Sequence, residues 1–291
     1  MPSTMQKEED AFRVALTYLI IATSLFPLQN VIAKILIEKY PVEEVIWSRF
    51  FFYFIAISPI ILNRIGTKVF IPDEFSTNIL RATLLTFSGF FLYLSLQTVP
   101  VADSIAVLYV YPLLITALSP LILGEHVARL QWFAVGLGFI GVCVLLRPGA
   151  GAISPGALFA LASGASIALA MVLTRKLSAS NDPLATLFFS GMFGALATSA
   201  LLPFIWVAPN WEHWILMAAM GLTAAIGHYL LILAYGKAPA STLAPFAYWE
   251  VIATTALGYA LLGSPPDSVT WIGASIICIG GVINACMKRP L

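Results

Sequence analysis

The chain is poor in charge. Asp, Glu, Lys and Arg together make up 10% of its 291 residues, against about 25% in an ordinary soluble domain. Side chains this apolar cannot cover a globule of this length in water, so much of the surface faces lipid. Fifteen basic and fourteen acidic residues leave a net charge of +1, without a patch of either sign, which argues against nucleic acid or an acidic protein as partner. Cysteine is scarce too. Cys143, Cys278 and Cys286 are odd in number, lie in apolar runs and match neither CxxC nor a metal-ligand spacing, so they are expected to pack as small apolar residues, with no disulfide framework and no metal site. GxxxxGK[ST] and HExxH are missing, and Gly164-Ala165-Ser166 lacks the last glycine of GxSxG. These absences remove a phosphate-cradling loop and leave an intramembrane protease or lipid transferase without its motif; no cofactor is expected. The alternation of polar and apolar positions that a transmembrane barrel needs is also missing. Met1 to Asp10 is polar and mixed in charge, and the apolar run after it is too long for a signal peptide, so no cleaved leader is expected.

What the chain has is hydrophobic residues, 60% of the sequence, gathered in long runs. About 20 apolar residues cross a bilayer core as a helix. Runs bounded by Pro, Gly or charge predict ten such helices, at 12–37, 44–62, 79–98, 103–123, 131–147, 155–174, 184–207, 212–236, 241–262 and 268–287. The short connections leave no room for a domain outside the membrane. With the N-terminus inside, eleven Lys and Arg fall on the inner side (Lys7, Arg13, Arg64, Lys68, Arg81, Arg129, Arg175, Lys176, Lys237, Lys288 and Arg289) and four outside (Lys34, Lys39, Arg49 and Arg147). That bias predicts both termini in the cytoplasm.

The two halves match at a spacing of 139 residues. Pro100 pairs with Pro239, Tyr109 with Tyr248, Gly124 with Gly263, Trp132 with Trp271 and Gly141 with Gly280; upstream the spacing drifts to 141 for Lys34 with Arg175 and 142 for Pro41 with Pro183. Five spans separate equivalent positions, and an odd number reverses the chain across the membrane. The expected architecture is therefore an all-α integral membrane protein of ten transmembrane helices in two inverted five-helix repeats, residues 1–150 and 151–291. Inverted repeats underlie alternating access, with the solute held near the midplane between halves that rock against each other.

Val99-Pro100-Val101-Ala102 leads to Tyr111-Pro112 and Gly124-Glu125 in the first half, and Ala238-Pro239-Ala240-Ser241 to Ala244-Pro245-Phe246-Ala247-Tyr248-Trp249-Glu250 in the second. With the ten-helix duplicated plan, these strings resemble the drug/metabolite transporter superfamily, in particular its bacterial EamA-type members, over essentially the whole chain. The Ala-Pro-aromatic-x-Tyr-x-Glu string is similar to branches that move amino-acid-like metabolites, S-adenosylmethionine among them. Val251 departs from the proline common there, and Ser264 from the acidic residue that commonly follows the glycine. The resemblance implies a multi-pass protein of the bacterial inner membrane and a carrier function.

Glu250 is the only formally charged residue between Ala238 and Pro266. A carboxylate at membrane depth is expensive and is usually kept for a function; here it can bind substrate or carry a proton. His228 and Glu250 both lie eleven residues from Pro239, which places them level, roughly 16 Å from the turn. The repeat sets Tyr111 opposite Glu250 and Gly89 opposite His228. Pro27, Gln29 and Asn30 interrupt the first span, where they either kink it or line a cavity. Lys34 and Arg49 fall at similar depth near the outer face, within reach of Glu38, Glu43 and Glu44 or of a substrate carboxylate. Tyr93, Tyr109, Tyr111, Tyr229, Tyr248 and Trp249 offer rings to a cation or a planar group. Gly136, Gly138, Gly141, Gly273, Gly280 and Gly281 predict close helix contact, with a second copy as one partner.

The expected function is a secondary carrier for a small organic metabolite, amino-acid-like and zwitterionic or cationic, working by alternating access with proton coupling or exchange. A riboflavin or other vitamin or drug carrier of the same fold is the alternative; an intramembrane enzyme and a non-transporting scaffold are weaker ones. The expected partners are the small-molecule substrate, membrane lipid and a second copy of the chain.

Overall fold

In hydrocarbon no water is at hand for the backbone, so each apolar run must satisfy its own N–H and C=O groups and does so as a helix. A computed structural model describes residues 4–70, 72, 74–146, 154–263 and 268–285, and every regular element among them is helical. The helices are α1 (Thr4–Ile37), α2 (Val42–Arg64), α3 (Phe75–Thr98), α4 (Val101–Leu108), α5 (Tyr111–Leu123), α6 (Arg129–Leu146), α7 (Pro155–Leu177), α8 (Pro183–Ser199), α9 (Leu202–Ile205), α10 (Trp211–Lys237), α11 (Ala240–Leu243), α12 (Trp249–Leu262) and α13 (Ser268–Ala285). Six stretches are long and apolar enough to cross a membrane, including α4 and α5 taken together. Arg147, Gly151, Ser264, Cys286, Lys288 and Arg289 lie outside the described residues.

Prolines decide where the helices depart from the expected spans. The fourth run is two helices, α4 and α5, because Pro112 stands in the first turn of α5 and its ring cannot continue a helix from the preceding turn. The ninth run breaks as well: α11 passes into a 3-10 turn, Ala244–Tyr248, with Pro245 in its first turn, before α12 begins. Both breaks fall beside the paired tyrosines, Tyr109 closing α4 and Tyr248 preceding α12. The seventh run does not reach 207 as expected. α8 ends at Ser199, Pro203 opens the short α9, and residues 206–210 run without helix to α10. Pro27, expected to interrupt α1, does not: the helix continues through it, since losing one internal bond is tolerable where neighbours enclose the helix.

Several local features recur between the first and second parts of the chain. Pro100 and Pro239 each precede a helix in the same extended conformation, and Gly124 and Gly263 end α5 and α12 with φ near 66° and 65°, a left-handed cap that glycine adopts without strain. Helix contacts come in matched sets: α1 packs on α10 and α7 on α3, α1 on α12 and α7 on α5, α2 on α10 and α8 on α3, while α2 meets α8 and α6 meets α13. In the last pair Gly280 packs against this chain's own α6. A Cβ at Gly280 would lie 3.1 Å from the Ala134 carbonyl on α6.

Two arginines counted as end charges lie inside the bundle. Arg81, 1% exposed, joins three helices: from α3 its Nε donates to Thr174 Oγ1 on α7 at 2.6 Å, and its Nη1 donates to Ser190 Oγ and the Thr186 carbonyl on α8. Arg49 is 7% exposed. Removing one from each side of the charge comparison leaves ten against three.

Candidate functional site

Both halves enclose a central cavity. Its walls come from α1 to α5, α7, α10 and α12, and its volume is about 50 Å³, room for a few waters but not for an organic metabolite. It must widen to take one. Six of the expected residues line it: Gln29, Asn30, Arg49, Tyr111, His228 and Glu250. Glu250 is the second residue of α12, just past the break, and reaches the cavity from there. It is 7% exposed, and Asn30 Nδ2 donates to its Oε1 over 3.5 Å. The Tyr109 hydroxyl lies beside the carboxylate without forming a bond of normal geometry. Gln29 Oε1 is buried with no partner.

Arg49 enters from α2. Its Nη2 donates to His228 Nε2 at 3.0 Å. Because a guanidinium can only donate, Nε2 must carry the lone pair, and the ring is the neutral tautomer protonated at Nδ1. The Tyr53 ring lies parallel to the imidazole at 6.0 Å and Phe26 flanks it at 5.3 Å. On α3, a Cβ at Gly89 would stand 2.7 Å from Arg49 Nη1. His228 is thus bonded to Arg49, where level placement with Glu250 had suggested those two as the pair. They share the cavity, but α2 reaches between α10 and α3 and its arginine takes the imidazole.

Other expected residues lie elsewhere. Lys34 does not pair with Glu38, Glu43 or Glu44; its Nζ donates to the Leu96 carbonyl at 2.7 Å. Arg49 lies inside the bundle and not near the outer face, so it meets none of those glutamates either, and Glu44 Oε2 accepts from the Val207 backbone N–H at 2.9 Å. Trp249, next to Glu250 in sequence, points about 100° away around the helix; it is 42% exposed, and its Nε1 donates to Ser24 Oγ at 2.8 Å. Tyr229 lines a separate apolar groove between α2, α8 and α10. Tyr93, fully buried, places its hydroxyl on Met220 Sδ at 3.5 Å and beside Arg49. Tyr248 packs behind Tyr109, with 5.8 Å between ring centroids, and its hydroxyl faces Gly138 on α6.

A second polar cluster closes the end of the bundle where α5 finishes and α11 starts. Glu125, just past the Gly124 cap, accepts from the backbone N–H groups of Ala240 and Ser241 at 3.2 and 3.3 Å, from Ser241 Oγ at 3.1 Å and from Arg175 Nε at 3.3 Å. Arg175 Nη1 donates in turn to the Tyr235 carbonyl at 2.9 Å. That last contact has a counterpart. Lys34 and Leu96, equivalent to Arg175 and Tyr235 by the spacing of the halves, form the same cation-to-carbonyl bond. Sequence reasoning quoted Gly124-Glu125 as part of a motif and gave the carboxylate no role.

The family profile of the EamA-like transporters matches residues 13–147 and again 154–285, nearly all of the chain. The chain belongs to the EamA-like transporter family. It is therefore a membrane transporter for a small molecule and not an enzyme. Among this family, an S-adenosylmethionine uptake transporter of Rickettsia prowazekii (strain Madrid E) is 26% identical over 250 residues, covering 86% of this chain and 85% of its own. A riboflavin transporter of Rhizobium johnstonii is 25% identical, covering 91% of this chain and 88% of its own. A pseudopaline exporter of Pseudomonas aeruginosa is 22% identical, covering 96% and 99%. One solved crystal structure, 20% identical, shares the fold with a TM-score of 0.74 over 94% of this chain and 96% of its own.

Proposed function

We propose that this EamA-like protein is a secondary carrier for a small amino-acid-like metabolite, zwitterionic or cationic, which it moves across the bacterial inner membrane by alternating access. The observation that carries this reading is Glu250, a buried carboxylate facing a central cavity that is bounded by both halves of the chain. Asn30, Gln29 and Tyr111 complete the acceptor side of that cavity, and Tyr109, Tyr93 and Tyr248 support it from behind. Charge at this depth is worth its cost when a substrate or a proton comes to neutralise it. The S-adenosylmethionine carriers among the relatives favour an amino-acid-like cargo. The riboflavin carriers keep a flat vitamin as the second reading, since tyrosine rings line and back the cavity.

Ten crossings follow if α4 with α5, and α11 with α12, each count as one. The matched contacts, the paired caps and the paired cation-to-carbonyl bonds support two inverted five-helix repeats, residues 1–150 and 151–291. The ten-to-three charge bias supports cytoplasmic termini. In a cysteine-free background, a cysteine at Ala208 should react with a membrane-impermeant maleimide added outside whole cells, and one at Ser180 should react only after lysis. The opposite pattern reverses the orientation.

The function is tested by reconstituting the purified chain in proteoliposomes and following labelled amino acids, S-adenosylmethionine and riboflavin. Saturable, unmodified uptake of an amino acid or S-adenosylmethionine is expected. Uptake of riboflavin alone would replace this reading with the second one.

A further inference from the structure

We infer that Arg49 is the carboxylate anchor of the cavity, held by His228 and by the space left at Gly89, so that the transporter selects solutes carrying a free carboxylate as well as an ammonium group. This rests on the carrier reading and narrows it from zwitterionic or cationic solutes to zwitterions.

Arg49 is a cation at membrane depth whose contacts are with neutral groups: its Nη2 donates to the His228 ring at 3.0 Å, the Tyr93 hydroxyl lies beside it, and its guanidinium carbon stands 5.3 Å from the centre of the Phe50 ring. Its Nε is buried without a partner. Buried guanidinium groups are ordinarily balanced by an acid, because an uncompensated charge is costly. Glu250 lines the same cavity, yet no ion pair within 4.0 Å joins the two. Opposite charges sharing one small cavity without meeting are complementary to a solute that carries both. The guanidinium matches a carboxylate in a two-point fork, while Glu250 and the unpartnered Gln29 Oε1 accept from an ammonium group.

His228 acts as the positioning residue. Bonded through a lone pair and clasped between the Tyr53 and Phe26 rings, it fixes the guanidinium without cancelling its charge. Gly89 acts from the opposite side. A methyl group there would stand 2.7 Å from both Arg49 Nη1 and Ile46 Cδ1, so one of them would have to move. The halves differ at this pair of positions, histidine in one and glycine in the other, and the arginine occupies the difference.

The test uses the full chain in proteoliposomes with labelled L-methionine and S-adenosylmethionine. Methionine methyl ester and 3-(methylthio)propylamine, which lack the carboxylate, serve as competitors. The native carrier should be inhibited by free methionine at least about tenfold more strongly than by either analogue, the scale of one lost charge-assisted bond. Arg49→Gln should abolish that preference. Gly89→Ala should raise the KM for the free acid more than it lowers the maximal rate. His228→Gln, whose amide oxygen can still accept from Arg49, should retain the preference, and His228→Leu should lose it. Melting temperatures of the same samples identify variants that merely misfold, in which case the Gly89→Ala and His228→Gln comparison decides. The inference is overturned if ester and acid compete equally on the native protein, or if a folded Arg49→Gln carrier still prefers the acid. Riboflavin uptake without amino-acid uptake also overturns it and leaves the carrier standing, whereas no uptake of any solute removes the carrier reading itself.

Discussion

Glu250→Gln is expected to insert, fold and melt like the native chain while losing most of its transport. Glutamine keeps the shape of the side chain and can still meet Asn30 Nδ2 through its amide oxygen, so the helix contacts around the break before α12 stay in place. What disappears is the charge. A charge-assisted hydrogen bond to a bound ammonium group is worth about 1.5–3 kcal/mol, so the affinity for a cationic head should fall by about ten- to a hundredfold. If the carboxylate also carries a proton through the cycle, the loss extends to the maximal rate and to the dependence of uptake on external pH. A carboxylate with a purely architectural role gives the reverse pattern, with a lowered melting temperature and normal uptake per folded molecule. Initial rates and melting curves on the same purified variant separate these outcomes. Normal uptake by a well-folded Glu250→Gln protein would remove Glu250 from the substrate site.

How far the sequence reached follows from which residues carry their own signal. Proline and glycine act locally, so the bends at Pro112 and Pro245 and the left-handed caps at Gly124 and Gly263 trace to residues visible in the chain. Glu250 stood out because a lone acid in a run of apolar residues is costly at membrane depth. Depth counting brought Glu250 and His228 to one level, and both line the cavity. It could not say which way a side chain points around its helix, and that is why the pairing of Arg49 with His228 was missed and why Trp249 faces outward. The aromatic residues were the least legible. A tyrosine on the central cavity's wall, such as Tyr111, and one in a separate apolar groove, such as Tyr229, look alike until the helices are packed. Gly89 was named only as the empty counterpart of His228; its purpose needs the neighbouring guanidinium.

Glu125→Ala should release the end of the bundle that, in the proposed orientation, faces the cytoplasm. The carboxylate joins the close of α5, in the first half, to Arg175 and to the start of α11, in the second. Its bonds to the Ala240 and Ser241 N–H groups are helix-capping bonds, for which loss of a cap costs about 1 kcal/mol. The partly buried ion pair with Arg175 adds up to about 1 kcal/mol. Together, roughly 2 kcal/mol shifts an equilibrium between closed and open forms by about thirtyfold. The matching contact at the other end, from Lys34 to the Leu96 carbonyl, has no carboxylate at the equivalent position, since Ser264 stands there. That end keeps its own bonds between the halves, between Lys39 and His213, between Tyr40 and His213, and from the Val207 N–H to Glu44, so removing Glu125 should favour the cytoplasm-open form. A cysteine placed at Ser88 on the cavity wall, in a background free of Cys143, Cys278 and Cys286, reports this directly. In inside-out vesicles its reaction with an impermeant maleimide should quicken by about an order of magnitude when Glu125 is replaced, while labelling from the opposite face slows. Glu125→Gln, which keeps an acceptor for the α11 N–H groups but drops the ion pair, should fall between the two. If Glu125→Ala lowers the melting temperature and leaves both labelling rates unchanged, the residue is a helix cap with no part in opening. If labelling quickens from both faces alike, the bundle has loosened as a whole and Glu125 does not act on one end alone.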